Sequence, residues 1–135
     1  MRVVHVPFGY YPDPVGGTEV YVAELARTLS GHGVESVVAA PALGAGATSY
    51  TWDGAVVHRF VVPPARNVDE LYGEGNATAA AAIDRVLADS RADVLHLHAF
   101  TSAASLNAVR AAHQRGVGVV FTYHTPTASC VRGTL

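Results

Sequence analysis

A glycine pair between an apolar segment and an amphipathic helix pattern constrains this chain more than any other feature. The apolar segment is Arg2–Val6, and a connector rich in Pro, Gly and Tyr leads from it to Gly16-Gly17-Thr18-Glu19. Beyond the glycines, apolar residues recur at the i, i+3, i+4, i+7 spacing of one helix face: Val22, Leu25, Ala26 and Leu29. The order predicts a buried strand, a glycine loop and a helix over residues 18–30, with Thr18 as its N-cap.

This order of elements is an anion-binding arrangement in α/β proteins. Free backbone N–H groups and the positive end of the helix dipole point toward the loop. Two glycines would let the backbone adopt a positive φ and let a ligand approach without meeting a Cβ atom. We therefore expect Gly16 and Gly17 to contact an anion, the alternative being an ordinary strand-to-helix turn. The chain has no lysine and no GxGxxG spacing, so neither a Walker loop nor a dinucleotide fingerprint is indicated.

The rest of the chain alternates strand patterns with helix patterns. A hairpin turning at Asp53-Gly54 is predicted because this dipeptide favours a type I′ turn. We expect a mobile loop over residues 65–76 and no regular structure over residues 124–135. The other predicted elements are strands over 36–40, 94–98 and 117–123, and helices over 77–90 (capped by Asn76) and 102–115. This alternation predicts an α/β fold, a doubly wound Rossmann-like parallel sheet with flanking helices.

Bulk composition narrows the class of protein. The 135 residues suit one domain, and a hydrophobic share of 50% with 15% charged residues suits a buried sheet. A net charge of −2 argues against a nucleic-acid partner. The single cysteine, Cys130, excludes an internal disulfide and indicates a cytoplasmic protein. The first residues resemble neither a signal peptide nor a membrane span. Membrane contact through residues 63–76 stays open, without a basic amphipathic stretch to support it.

Two histidines fall where ligands bind in such folds, at the carboxyl ends of the strands. His98 ends one predicted strand and is expected to face a ligand. His124 ends the last strand and could donate to a sugar hydroxyl or a phosphate. The alternative for each is a structural histidine. Glu19 falls in the first turn of a helix, where the dipole favours a carboxylate in any case.

A metal site is the main alternative chemistry. His96 and His98 alternate along a strand, so both point away from the leucines beside them. Together with His124 and Asp13 they could hold zinc, which would favour a metal-dependent hydrolase. We expect no metal site, because no further cysteine or paired carboxylates accompany these histidines. Asp13 lies between two prolines and is expected to be a turn residue.

Several of these segments occur together in a recognisable order. They are Arg2–Val6, Gly16-Gly17-Thr18-Glu19, Val22-Ala23-Glu24-Leu25-Ala26, Asp93-Val94-Leu95-His96-Leu97-His98 and Phe121-Thr122-Tyr123-His124-Thr125. The ordered set spans nearly the whole chain and resembles the N-terminal domain of the GT-B glycosyltransferases of family 4. The resemblance implies a retaining, hexosyltransferase-type enzyme that moves a sugar from a nucleotide-sugar donor to an acceptor, without a cofactor or a required metal.

The resemblance also assigns roles to residues. It implies that the glycine loop lies close to the donor phosphates and the transferred sugar, and that a histidine at the position of His124 contacts that sugar. The expected substrate-binding residues are Gly16, Gly17, Glu19 and His98, and the expected catalytic residue is His124. No protein nucleophile is expected, since front-face attack with help from a donor phosphate oxygen usually explains retention.

In that family a second domain holds most of the nucleotide. We expect residues 1–135 to be a truncated N-terminal domain whose partner is its own C-terminal domain in the intact protein. The fragment alone is expected to be inactive, because the groups that stabilise the leaving diphosphate would be absent. The alternative is a free-standing flavodoxin-like module that binds a phosphate or a nucleotide.

Overall fold

Strands and helices alternate along most of the chain. The computed structural model describes residues 1–44 and 46–124. The strands are β1 (Arg2–Val6), β2 (Glu35–Pro41), β3 (Thr48–Trp52), β4 (Ala55–Phe60), β5 (Val94–Leu97) and β6 (Gly118–Phe121). The helices are α1 (Gly17–Gly31), α2 (Val68–Tyr72), α3 (Ala77–Ser90) and α4 (Leu106–Gln114). Residues 125–135, which include Cys130 and most of the predicted irregular tail, lie outside the described residues.

The strands form a six-stranded sheet in the order β3-β4-β2-β1-β5-β6. The pairs β1–β2, β1–β5, β2–β4 and β5–β6 are parallel, and β3 pairs antiparallel with β4. The predicted hairpin is confirmed, since Asp53 and Gly54 have φ values of 46° and 82° at the turn between β3 and β4. The predicted fold class is also confirmed: the protein is an α/β domain with a mostly parallel, Rossmann-like sheet.

The two faces of the sheet pack against different helices. On one face, Val4 and Val6 of β1 and Leu95 and Leu97 of β5 pack in one core cluster with residues of α3 and α4. On the other face, Val38 of β2 and Val57 of β4 pack against α1. Burial of both faces explains why β1 is an almost continuous apolar run. The exception in that run is His5, which lies on the α1 face.

The order of strands reverses between β1 and β5. From β1 the chain moves to β2 and β4 on one side, and it returns through α3 to β5 on the other side. Ligands of doubly wound sheets bind at the carboxyl ends of the strands beside such a reversal. The connector after β1 begins beside this reversal, and His98 lies there too, directly after β5. The backbone N–H of His98 donates to the carbonyl of Val6 at 3.0 Å.

The start of α1 corrects two predictions. The N-cap is Gly16, not Thr18, and its N–H donates to the Glu19 carboxylate at 2.8 Å. Glu19 therefore bonds back to the cap residue, which is one half of a capping box, and Gly16 has no side chain to supply the other half. The expected positive φ is also wrong: Gly16 is extended, with φ −108° and ψ −166°, and Gly17 is the first helical residue. The backbone conformation thus does not require glycine at either position.

Residues 65–76, predicted as a mobile loop, contain the five-residue helix α2. The side chain of Asn67 accepts from the N–H of Glu70 at 2.9 Å, and Arg66 donates to the Glu70 carboxylate at 2.8 Å. These short-range bonds give α2 an N-cap and an ion pair, and its pattern of apolar residues predicts neither.

The other predicted elements differ only at their ends. Helix α3 and its cap Asn76 are confirmed, the amide oxygen of Asn76 accepting from the N–H of Thr78 at 2.9 Å. Helix α4 starts at Leu106 and not at residue 102, and β5 and β6 are shorter than predicted. None of the helices in the described ranges is long and apolar enough to cross a membrane.

Candidate functional site

Three histidines meet on the α1 face of the sheet. His5 of β1 lies opposite His96 of β5 in the parallel register. The rings of His96 and His98 are 3.9 Å apart between centroids, and His5 is 5.4 Å from each. The prediction that His96 and His98 point away from Leu95 and Leu97 is confirmed, since the leucines belong to the core on the other face.

Hydrogen bonds join these rings into a chain that crosses the sheet. His5 Nε2 lies 3.3 Å from the hydroxyl of Ser36 on β2, and His5 Nδ1 lies 3.1 Å from His98 Nε2. His98 Nδ1 in turn lies 3.2 Å from His124 Nε2. His96 stands beside this chain, its Nε2 bonded to the hydroxyl of Thr122 at 2.6 Å. Both ring nitrogens of His5 and of His98 are therefore engaged.

Burial keeps the inner rings neutral. His5 and His98 are 0% and 1% exposed. Burial, with a smaller contribution from His96, lowers the pKa of His5 to about 4. Burial and the neighbouring histidines lower the pKa of His98 to about 2. Burial followed by His124 also lowers the pKa of His96. At neutral pH each of these rings carries one N–H donor and one acceptor nitrogen.

The start of α1 and His124 lie at the same rim of the sheet. The ring of Tyr21, one helical turn beyond Gly17, contacts the ring of His124 edge-on at 5.0 Å and lies 5.9 Å from His98. Gly16 and Gly17 are exposed. A Cβ atom on Gly17 would meet nothing within 4 Å, so the space in front of this residue is open.

Glu19 points inward and holds the loop. It is 6% exposed, and its two carboxylate oxygens accept from Gly9 N–H at 3.2 Å and from Gly16 N–H at 2.8 Å. The carboxylate thus joins the middle of the connector to the start of α1. Because the Gly16 N–H is taken by Glu19, the helix-start amides that remain without a helical acceptor are those of residues 17–19.

The two histidines predicted for the site differ in exposure. His124 is partly exposed, whereas His98 is buried behind it. The ring of His98 is connected to the rim by its hydrogen bond to the ring of His124. The structure therefore brings together the start of α1, His98 and His124, and it places Glu19 beneath the loop.

The histidine cluster also has the composition of a metal site, with different members from those of the sequence hypothesis. One ligand nitrogen from each of His5, His96 and His98 lies within 4.8 Å of the others. Asp13 does not join them: its carboxylate is ion-paired with Arg59, and its N–H closes a turn to the carbonyl of Tyr10 at 3.2 Å. The turn role predicted for Asp13 is confirmed.

Three residues of this region were missed in the sequence. His5 was taken as part of an apolar strand and Ser36 as the first residue of another strand, and Tyr21, within the helix predicted over residues 18–30, was given no role. A signal for His5 did exist, because a histidine in a buried parallel strand needs a polar partner, and His96 and His98 were the polar residues of a strand expected in the same sheet. Nothing in the local pattern singles out Ser36 or Tyr21.

The chain matches a known protein family. The model of the family described as Glycosyl transferase 4-like domain matches residues 16–134. A search of curated proteins finds no match. The matched residues include the start of α1, both ends of the histidine chain and most of the sheet, so sequence family and fold agree. The chain belongs to the glycosyl transferase 4-like domain family.

Proposed function

We propose that the intact protein is a retaining GT-B glycosyltransferase that moves a sugar from a nucleotide-sugar donor to an acceptor hydroxyl. The observation that carries this proposal is the contact between Tyr21 and His124 at 5.0 Å. It brings the exposed glycine start of α1 and a partly exposed imidazole to one rim, beside the reversal of strand order. An anion-binding helix end and a hydrogen-bonding side chain are what a sugar diphosphate requires there.

The glycine loop is proposed to take the donor phosphates. The amides of residues 17–19 have no acceptor within α1, and the helix dipole favours negative charge beside them. The open space in front of Gly17 supports this role, because neither the backbone conformation nor the packing of the chain requires a glycine there. A ligand that approaches the backbone closely would require it. Glu19 serves by fixing Gly16 and Gly9.

His124 is proposed to donate a hydrogen bond from its ring to the transferred sugar or to the leaving phosphate. In a front-face reaction the acceptor oxygen bonds to the anomeric carbon on the side from which the diphosphate leaves, and the acceptor proton passes to a phosphate oxygen. The protein then supplies position and charge stabilisation instead of a nucleophile. We further propose that no metal is needed and that the enzyme works in the cytoplasm, which the single cysteine supports.

The test is turnover by the intact gene product with a panel of nucleotide sugars, assayed in buffer with EDTA. His124→Ala should lower kcat by about 100-fold or more, since removing one donor to a transition state costs that much in other enzymes. The variant should still fold, because His124 is partly exposed. Its melting temperature should fall by several degrees, since the buried ring of His98 loses one hydrogen-bond partner.

The matched control is His113→Ala, which removes an exposed histidine from the last turn of α4. It should keep full turnover. Equal activity of the His124 and His113 variants would remove His124 from the mechanism, and activity abolished by EDTA alone would contradict the metal-independent chemistry.

A further inference from the structure

The hydrogen-bonded chain from Ser36 to His124 runs from the side of the sheet where β2 begins to the side where the parallel strands end. Ser36 lies near the start of β2, where it lines a cleft of about 810 Å³. His124 lies at the carboxyl edge, at the rim beside the start of α1. Between them, His5 and His98 use both of their ring nitrogens within the chain. A path of three hydrogen bonds, of which the middle one is buried, therefore joins that cleft to the candidate site.

A neutral imidazole has one donor nitrogen and one acceptor nitrogen, so the hydrogen bonds in such a chain all run in one direction. In the first direction Ser36 donates to His5, His5 Nδ1–H to His98, and His98 Nδ1–H to His124 Nε2. His124 then carries its own proton on Nδ1. In the second direction every bond is reversed, His124 donates from Nε2, and its Nδ1 becomes an acceptor.

The inner rings keep to these two arrangements because they stay neutral. Burial lowers the pKa of His5 to about 4 and that of His98 to about 2, so neither is doubly protonated near pH 7. Within the described residues no hydrogen bond occupies His124 Nδ1, so this nitrogen can bond to a ligand at the rim. The serine hydroxyl at the other end fits both directions, since it can donate or accept.

We propose that Ser36, His5 and His98 are positioning residues that set the tautomer of His124, and so decide whether its outer nitrogen donates or accepts at the rim. Changing from the first direction to the second releases one proton from His124 Nδ1, shifts one proton along each of the three bonds, and takes up one proton at Ser36. Every ring remains neutral throughout. This inference deepens the proposed function and rests on it for the role of His124, but the coupling itself is a property of the chain.

The test is the tautomer of His124, read from ring ¹⁵N chemical shifts of the protein labelled at histidine. In Ser36→Ala the second direction would leave a buried N–H of His5 without an acceptor, which is the costlier arrangement. The ratio of Nδ1–H to Nε2–H at His124 should therefore rise by about fivefold or more, the factor that corresponds to one lost buried hydrogen bond.

Two controls make the result specific. Ser36→Thr keeps a hydroxyl and should restore the wild-type ratio at His124. Ser49→Ala removes a serine–histidine bond of 2.8 Å to His58 on the β3–β4 hairpin, outside the chain, and should leave His124 unchanged. An unchanged ratio in Ser36→Ala, or an equal response in Ser49→Ala, would overturn the proposal.

Zinc gives an independent check, because His5, His96 and His98 also lie close enough together to bind a cation. Equimolar Zn²⁺ should leave the ring shifts of His5 and His98 in place, since these nitrogens already bond to each other and to their neighbours. Shifts of those nitrogens on adding Zn²⁺ would overturn the proposal and assign the cluster to a metal.

Turnover then separates this inference from the proposed function. In the intact protein Ser36→Ala should lower kcat several-fold and move its pH profile, with the KM for donor unchanged. A changed tautomer with unchanged turnover would support the coupling and refute a catalytic role for His124.

Discussion

Two neutral imidazoles in the core make the stability of this domain depend on pH. In the unfolded chain His5 and His98 titrate near a pKa of about 6.5, and in the folded protein burial lowers these pKa values to about 4 and about 2. Below pH 6.5 the unfolded chain therefore binds more protons, so acid favours unfolding. The stabilisation is fully present above pH 6.5 and is lost as the pH falls toward the folded pKa values.

We expect the free energy of unfolding to fall by about 2–3 kcal/mol between pH 7.5 and pH 5.5, since each histidine contributes up to about 1.4 kcal/mol per pH unit. The measurement is urea denaturation at a series of pH values. His5→Gln combined with His98→Gln should flatten this dependence, whatever its effect on stability at pH 7.5. The neighbouring titratable groups, His96, His124 and Tyr21, remain in that variant.

Exposed histidines provide the comparison. His32 and His113 are exposed, so replacing both by Gln should leave the pH dependence as in the wild type. The same slope in all three proteins would show that the buried histidines do not cause it.

The connector after β1 is held in place by an ion pair between residues that lie far apart in sequence. Arg59 of β4 is 7% exposed, donates to the carbonyl of Tyr10 at 2.9 Å and is ion-paired with Asp13. The bond ties the connector after β1 to the sheet. Because the connector leads to the start of α1, it also helps to position the glycine loop.

Asp13→Asn should therefore destabilise the protein by about 3 kcal/mol, since it leaves a buried guanidinium without its counter-charge. Asp84→Asn is the matched control, because its partner Arg115 is 39% exposed and an exposed pair is worth less than about 1 kcal/mol. Chemical denaturation of both variants measures the difference. Losses of equal size would mean that the Arg59 bond is no stronger than a surface one.

Elements were predictable where periodicity and turn chemistry are local. The apolar run of β1, the apolar face of α1, the Asp53-Gly54 turn and the Asn76 cap all follow from residues within a few positions of one another. The start of α1 was not predicted correctly, because its N-cap Gly16 has no side chain that could mark it as a cap and only its N–H bonds to Glu19. Helix α2 was missed because its stabilising bonds are polar.

The position of the candidate site could be predicted from the sequence, but the hydrogen bonds between its residues could not. The carboxyl ends of parallel strands lie on the same side of a sheet, so His98 and the start of α1 were expected to lie near each other. The bond from His5 to His98 joins positions 93 residues apart, and it depends on the register of β1 against β5. No local pattern encodes that register, which is why the chain from Ser36 to His124 emerges only in three dimensions.

For the whole molecule, the question is how the charge of a donor diphosphate would be balanced. The chain has no lysine. Among the described residues six arginines are already paired with carboxylates: Arg2, Arg27, Arg59, Arg66, Arg110 and Arg115. Arg85 and Arg91 lie in the second half of α3 and at its C-cap, near the edge where β5 begins. The described part of the chain therefore brings no unpaired arginine to the glycine rim.

We accordingly expect residues 1–135 alone to bind UDP or GDP with a dissociation constant above about 1 mM, because the helix dipole is the main favourable charge that the described residues offer the diphosphate. Calorimetric titration of the purified chain measures this affinity. The same titration of the native gene product, whose length is obtained by mass spectrometry after antibody capture, should show saturable binding together with a polypeptide more than twice as long. A native product that ends near Leu135 and binds a nucleoside diphosphate tightly would instead support a free-standing nucleotide-binding module. That result would remove the transferase proposal and leave the family and the fold as they are.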